Sequence, residues 1–171
     1  MREMPNSTEK SKSTIYLSLG SNLAPKKFQI QKAIKKLNQN KILIQKISSF
    51  YKTQPVGVKK QPWFINICLE AKTNLEPLKL LETCKKIEKQ TGRKNRGNWQ
   101  KREIDIDILF YGEKIIKENN LKIPHPEIPE RKFVLIPLNE IAPNFIHPIK
   151  QKKISKLLKE TKDKNIVITD S

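Results

Sequence analysis

Several residue types are scarce in this chain, and each scarcity narrows the reading. Two cysteines in 171 residues, Cys68 and Cys84, are too few for a disulfide scaffold. Both fall in apolar-periodic segments, so reduced packing thiols and a cytoplasmic setting are expected. With five glycines the chain contains no Gly-x-x-x-x-Gly-Lys-Ser/Thr, which excludes a P-loop. No apolar run approaches the roughly 20 residues of a membrane-spanning helix. The longest patches, such as Phe133–Leu138, are short and interrupted by proline. Residues Met1–Ser13 are polar and charged, and read as a loose, disordered tail rather than a secretion signal. Aspartate occurs four times and arginine five times.

Lysine, by contrast, is abundant. Thirty-five Lys and Arg against 17 Asp and Glu give a net charge of +18, which excludes an acidic solvating chain. Each third of the sequence carries ten lysines, an even spread that reads as a solvated surface rather than a nucleic-acid-binding stripe. Arginine is distributed differently. Arg93, Arg96, Arg102 and Arg131 lie within 39 positions, and two of the four aspartates, Asp105 and Asp107, lie among them. Lysine is this chain's ordinary cation, so the bidentate guanidinium is being reserved for one region, as an oligophosphate site requires.

The length suits one domain, expected over residues 14–160, followed by an extension or edge strand over 161–171. An apolar run over Ser13–Gly20 predicts a strand stopped by Gly20-Ser21-Asn22, with Asn22 available to cap the next helix. Ile30, Ala33, Ile34 and Leu37 predict a helix over Pro25–Leu37. Ile42–Tyr51 predicts a strand and Thr53–Pro62 a loop. Trp63–Ala71 alternates, with Ile65, Ile67, Leu69 and Ala71 on one face and Phe64, Asn66, Cys68 and Glu70 on the other. Leu75–Thr91 predicts a second helix and Ile104–Phe110 another alternating strand. A small hairpin (Lys114–Ile123), a proline-rich turn (Pro124–Pro129) and helical pieces near Phe133–Ile141 and Ile154–Lys159 follow. The order strand, helix, strand, strand, helix, strand is the ferredoxin-like βαββαβ arrangement: an α+β fold with a mainly antiparallel sheet and helices packed on it in three α/β/α layers.

Ile104-Asp105-Ile106-Asp107-Ile108 carries the strongest chemical signal. On a strand both carboxylates share one face, roughly 6–7 Å apart, while the isoleucines take the other. Their repulsion is about 2–3 kcal/mol at an effective dielectric near 20. A bound divalent cation relieves it, and carboxylate oxygens suit Mg²⁺, which completes its shell with water and phosphate oxygens. A solvated polar face on an edge strand is the plainer alternative. Arg102, three residues earlier, and Arg93 and Arg96 in the loop just upstream, which also holds Trp99, add the positive charge of a phosphoryl-transfer site. A nucleotidyltransferase pattern fails, because 85 positions separate Gly20 from Asp105.

These pieces, in this order, resemble the 6-hydroxymethyl-7,8-dihydropterin pyrophosphokinases of folate biosynthesis. The matching segments are Leu19-Gly20-Ser21-Asn22-Leu23, then Ser48-Ser49-Phe50-Tyr51-Lys52-Thr53 leading into Pro55-Val56-Gly57. Gln61-Pro62-Trp63-Phe64-Ile65-Asn66 and Arg102–Leu109 follow, and then Ile123-Pro124-His125-Pro126 and Arg131–Leu138. They span about Thr14 to Lys159.

The resemblance implies transfer of pyrophosphate from ATP to the pterin hydroxymethyl group, with release of AMP and no covalent enzyme intermediate. It implies Asp105 and Asp107 as ligands of two Mg²⁺ ions, and Arg93 and Arg102 as catalytic arginines. Arg102, His125 and Arg131 would contact the triphosphate, and Ile108 lies where adenine packs. Phe64 and Phe133 would sandwich the pterin, with Asn66, Thr53 and Val56 around it and Trp99 closing over it. Glu88 has a counterpart near the site, although a solvated helix face is its other reading. ATP and the pterin are the expected partners, with no nucleic acid and no membrane, for a cytoplasmic monomer. Where the family has close to Arg-Trp-Gly-Pro-Arg, this chain has Asn98-Trp99-Gln100-Lys101-Arg102, which bears on loop closure and turnover. Two other readings compete: a different Mg²⁺-dependent phosphoryl-transfer enzyme on the same scaffold, and a basic nucleic-acid-binding module. Neither needs the Phe64, Asn66 and Phe133 set.

Overall fold

A computed structural model describes residues 11–57, 60–94 and 101–171. The elements are β1 (Ser13–Ser21), α1 (Lys26–Gln39), β2 (Ile42–Ile47), β3 (Tyr51–Thr53), β4 (Phe64–Thr73), α2 (Pro77–Gln90) and β5 (Asp105–Tyr111). A small hairpin of β6 (Ile116–Lys117) and β7 (Lys122–Ile123) follows. Then come a 3-10 turn (Ile128–Glu130), α3 (Lys132–Ile141), α4 (Ile154–Glu160) and β8 (Val167–Thr169). The fold is α+β, and every pairing in its main sheet is antiparallel.

The sheet runs β5-β1-β4-β3-β8, and β2 occupies the other half of the β4 edge that β3 uses. The longest strands, β1 and β4, lie inside, where they are paired on both edges. Alternation then sorts side chains between two faces. Ile15, Leu17 and Leu19 of β1, Ile65, Ile67 and Leu69 of β4, and Ile106 and Ile108 of β5 are buried with the apolar stripes of α1 (Ile30, Ala33, Leu37) and α2 (Leu80, Cys84, Ile87). On the opposite face Tyr16, Cys68 and Phe110 pack with Val134, Leu135 and Leu138 of α3 and with Ile154 and Leu157 of α4.

Several expectations need correction. Ser13, counted in both the tail and the first strand, belongs to β1 as the Ser13–Gly20 run predicts and pairs with Thr73; residues 1–10 lie outside the described residues. Asn22 caps no helix: α1 follows Pro25, and the Asn22 side chain is used elsewhere. The single strand expected over Ile42–Tyr51 is broken at Ser48–Phe50. There the Ser48 amide donates to the Cys68 carbonyl, but the Cys68 amide donates to the Ser48 hydroxyl (2.9 Å), so a side chain replaces a rung of the ladder. β5 carries a bulge. Ile108 pairs with Leu17 and Phe110 with Tyr16, leaving Leu109 extra. The bulge puts Asp105, Asp107 and Phe110 on one face although their spacing is not even throughout. At the far edge the C-terminal residues form β8 against β3.

Candidate active site

Strand register builds the site. Gly20 of β1 is flanked by Asp105 of β5 on one side and Asn66 of β4 on the other, and Asn66 in turn pairs with Tyr51 of β3. One step along, Ser18 lies between Asp107 and Cys68. Adjacent strands are about 4.8 Å apart, so Asp105 and Asn66 are separated by two spacings, about 10 Å. Gly20 between them has no side chain, and a Cβ there would strike the Asn66 amide oxygen. Gly20 thus leaves room for the Asn66 amide to lean across β1 toward the carboxylate side.

A cleft of about 300 Å³ opens over these strands. Ser18, Gly20, Thr53, Phe64, Asn66, Asp105 and Asp107 contribute from the sheet, and Gln54, Pro55, Val56 and Gln61 from the loop between β3 and β4. Arg102, Arg131 and Phe133 close it. Of the residues expected from sequence, it thus gathers Asp105, Asp107, Arg102, Arg131, Phe64, Asn66, Phe133, Thr53 and Val56. The Arg131 guanidinium carbon sits 5.5 Å from the centre of the Phe133 ring, and Arg131 also pairs with Glu127. Asn66 donates to the Thr53 hydroxyl at 2.6 Å.

Four expected residues stand differently. Arg93 is outside the cleft wall, paired with Glu88 and with one Asp105 oxygen at 3.2 Å. Arg102 takes the other Asp105 oxygen at 2.8 Å. The Ile108 side chain is buried with Ile106 in the core and does not line the cleft. His125 is also outside the wall. Its amide donates to the Leu109 carbonyl and its Nδ1 accepts from the Glu127 amide (3.3 Å). Trp99, Arg96 and the substituted run 98–100 lie outside the described residues, and Lys101 is exposed.

The Asp107 carboxylate makes no hydrogen bond or ion pair with any described residue. Burial raises its carboxyl above the usual range, Asp105 adds to the rise, and His125, Arg131 and Arg102 oppose it. Burial lowers the His125 imidazole, with Arg131 acting the same way and Asp107 against it. Hard oxygen donors on one face, one of them lacking a partner, fit a divalent cation. Among the described residues no three His, Cys, Asp or Glu side chains cluster to hold a metal alone. A cation held by this pair would have to complete its shell with water or phosphate oxygens.

Two contributors, Asn22 and Gly20, were missed in the sequence, and a third, Glu88, was left between a place near the site and a solvated helix face. Glu88 is buried, and its stripe position beside Cys84 and Ile87 on α2 was the available signal. Asn22, 1% exposed, accepts from the Arg102 amide (2.8 Å) and donates to the Gln61 side chain (3.0 Å), tying both loops to the end of β1. Gly20 could have been found as a glycine inside a β-rich run.

A family model described as 7,8-dihydro-6-hydroxymethylpterin-pyrophosphokinase matches residues 16–143. The chain is 47% identical over 152 residues to the 2-amino-4-hydroxy-6-hydroxymethyldihydropteridine pyrophosphokinase of Aquifex aeolicus, covering 89% of this chain and 92% of that one. It is 40% identical over 156 residues to the Haemophilus influenzae protein of the same name, covering 90% and 96%. Among solved structures, a Plasmodium falciparum HPPK-DHPS chain superposes with a TM-score of 0.72 at 18% identity, over 93% of this chain and 47% of that one, a likeness of fold alone. With the matched stretch covering most of the chain and the cleft inside it, the chain belongs to the 6-hydroxymethyl-7,8-dihydropterin pyrophosphokinase family.

Proposed function

We propose that pyrophosphate passes from ATP to the hydroxymethyl oxygen of the pterin in the cleft between the β5 carboxylates and the Phe64–Asn66 wall. The family reaction is pyrophosphoryl transfer from ATP to hydroxymethyldihydropterin in folate synthesis. One observation supports this reading: the cross-strand row Asp105, Gly20, Asn66 puts the carboxylate strand and the amide strand two spacings, about 10 Å, apart, and the Asn66 amide reaches over the side-chain-free Gly20 between them. That span accommodates a bicyclic ring with its hydroxymethyl arm pointing at the carboxylates.

On this reading Phe64 and Phe133 cover the two faces of the ring and Asn66, braced by Thr53, meets its edge. Arg102 and Arg131 neutralise the triphosphate, and His125 and the Ile108 backbone lie on its nucleotide side. Asp105 and Asp107 would hold two Mg²⁺ ions, which when bound would offset the charge of the phosphates. The hydroxymethyl oxygen forms a bond to the β-phosphorus as the bond from that phosphorus to the α–β bridging oxygen breaks. AMP leaves and the hydroxyl proton passes to solvent. For Asp105 to serve a cation, Arg93 or Arg102 must give up the carboxylate oxygen it holds, which frees a guanidinium for the triphosphate.

The strand order, with β2 and β3 together beside β4 and β5 beside β1, supports the ferredoxin-like reading. Apolar clusters on both sheet faces support the three layers. A cytoplasmic monomer belongs to the same reading, supported by two buried free thiols. No helix among the described residues is long and apolar enough to cross a membrane. Incubation with ATP, Mg²⁺ and the pterin tests the reaction: AMP should form only when the pterin is present, and ADP as product would reject it.

A further inference from the structure

We infer that the C-terminal segment 163–170, which lies beyond the family-matched residues 16–143, sets the separation of the two walls that receive the pterin. The inference rests on the reading of Phe133 and the Thr53 loop as those walls.

One end of the segment holds the helix wall. An Asp163 carboxylate oxygen accepts from the Lys132 amide at 2.8 Å, in the first turn of α3. No side chain at the helix start itself supplies this cap, so a residue 31 positions away does. Lys132 immediately precedes Phe133. The other Asp163 oxygen accepts from the amide and side chain of Asn165, at 2.9 and 2.8 Å, which fixes the carboxylate's orientation.

Three residues further on, the segment holds the loop wall. The Ile166 amide donates to the Gln54 side chain (2.8 Å), and the Gln54 amide donates to the Ile166 carbonyl (3.2 Å). β8 then pairs Val167 with Thr53, Ile168 with Lys52 and Thr169 with Tyr51, and the Asp170 amide donates to the Phe50 carbonyl. An ion pair between Lys27 and Asp170 (3.2 Å) ties the end to α1. Thr53 and Gln54 both line the cleft. Thr53 is thus fixed from two sides, by the β8 backbone and by Asn66.

The segment is held by polar contacts, since Ile166 and Ile168 stay about half exposed. It buries little apolar surface, so its main effect is on geometry rather than on core stability.

Steady-state kinetics with each substrate varied in turn tests this, with melting temperatures recorded for every protein. Asp163→Ala should raise KM for the pterin about three- to tenfold, the scale of one lost charge-assisted hydrogen bond, while KM for ATP moves by less than about twofold. Asp163→Asn keeps an acceptor for the Lys132 amide and should stay within about twofold of wild type. A chain ending at Lys162 should show the larger pterin defect. An unchanged pterin KM in Asp163→Ala, or a parallel rise for both substrates, would overturn the inference even if the shortened chain fails to fold. Phe133→Ala separates the two levels. If it leaves pterin KM unchanged, the wall assignment fails; if it raises that KM while Asp163→Ala does not, the C-terminal inference alone fails.

Discussion

Arg102 donates to Asp105 at 2.8 Å, while the Asp107 carboxylate, two residues further along the same strand face, makes no hydrogen bond or ion pair with any described residue. The two carboxylates therefore differ in kind. Asp105 is neutralised within the protein, and Asp107 is held beside it, its pKa raised by burial. Replacing Asp107 by Asn removes a buried charge that no described side chain hydrogen-bonds or ion-pairs, and should leave the melting temperature equal or higher. Turnover should fall by about a hundredfold or more, because metal-borne charge neutralisation dominates phosphoryl transfer. Parallel calorimetry and kinetics check this; a destabilised variant with near-normal turnover would mean the residue is structural.

Gly20→Ala should damage the pterin side selectively. The added Cβ collides with the Asn66 amide oxygen, so Asn66 must turn away from its contact with Thr53. KM for the pterin should rise about tenfold, equivalent to about 1.4 kcal/mol, with a smaller change for ATP. Equal effects on both substrates would place Gly20 outside the junction of the two subsites.

Asn22→Ala removes the acceptor for the Arg102 amide and the donor to Gln61 in one step. A buried amide left unsatisfied costs about 1–3 kcal/mol, readable in urea denaturation. Turnover should fall as well, since Arg102 loses its anchor to β1. A loss of stability under about 0.5 kcal/mol with normal turnover would show that the two loops hold their places without Asn22.

Glu88 gives stability a pH dependence. Burial lifts its carboxyl from about 4.5 to about 7, with Asp105 adding to the rise and Arg93 opposing it. The folded pKa lies above the unfolded one, so between those values the folded protein keeps a proton that the unfolded chain has lost. The stabilisation is complete below about pH 4.5 and gone once pH passes about 7. Denaturation at pH 5 and pH 8 should show wild type losing about 1–3 kcal/mol more than Glu88→Gln across that interval. Equal losses would mean that the Arg93 pair keeps the carboxylate charged throughout.

Much of this site was legible in the sequence because it rests on period-two alternation. The isoleucines at 104, 106 and 108 and at 65 and 67 identify the core face, which leaves Asp105, Asp107, Phe64 and Asn66 on the other. What stayed hidden depends on contacts distant in sequence or on local exceptions. The Ser48 hydroxyl breaks a strand by mimicking a carbonyl, and the Leu109 bulge shifts the alternation by one. Asn22 reads as a helix cap by type, but Arg102, 80 positions away, claims its oxygen. Glu88 sits at a periodic position that a charged residue normally avoids, and only the partner Arg93 makes its burial tolerable. The Asp163 cap on α3 and the pairing of β8 with β3 have no local signature at all.

Counting bound divalent ions tests the central assignment most directly. Mn²⁺ replaces Mg²⁺, and its paramagnetic resonance signal is followed as it is titrated into protein saturated with a non-transferable ATP analogue and the pterin. Two tightly bound ions per wild-type chain are predicted, with at least one lost in Asp107→Asn. The same number bound with the same affinity in both proteins would contradict the account.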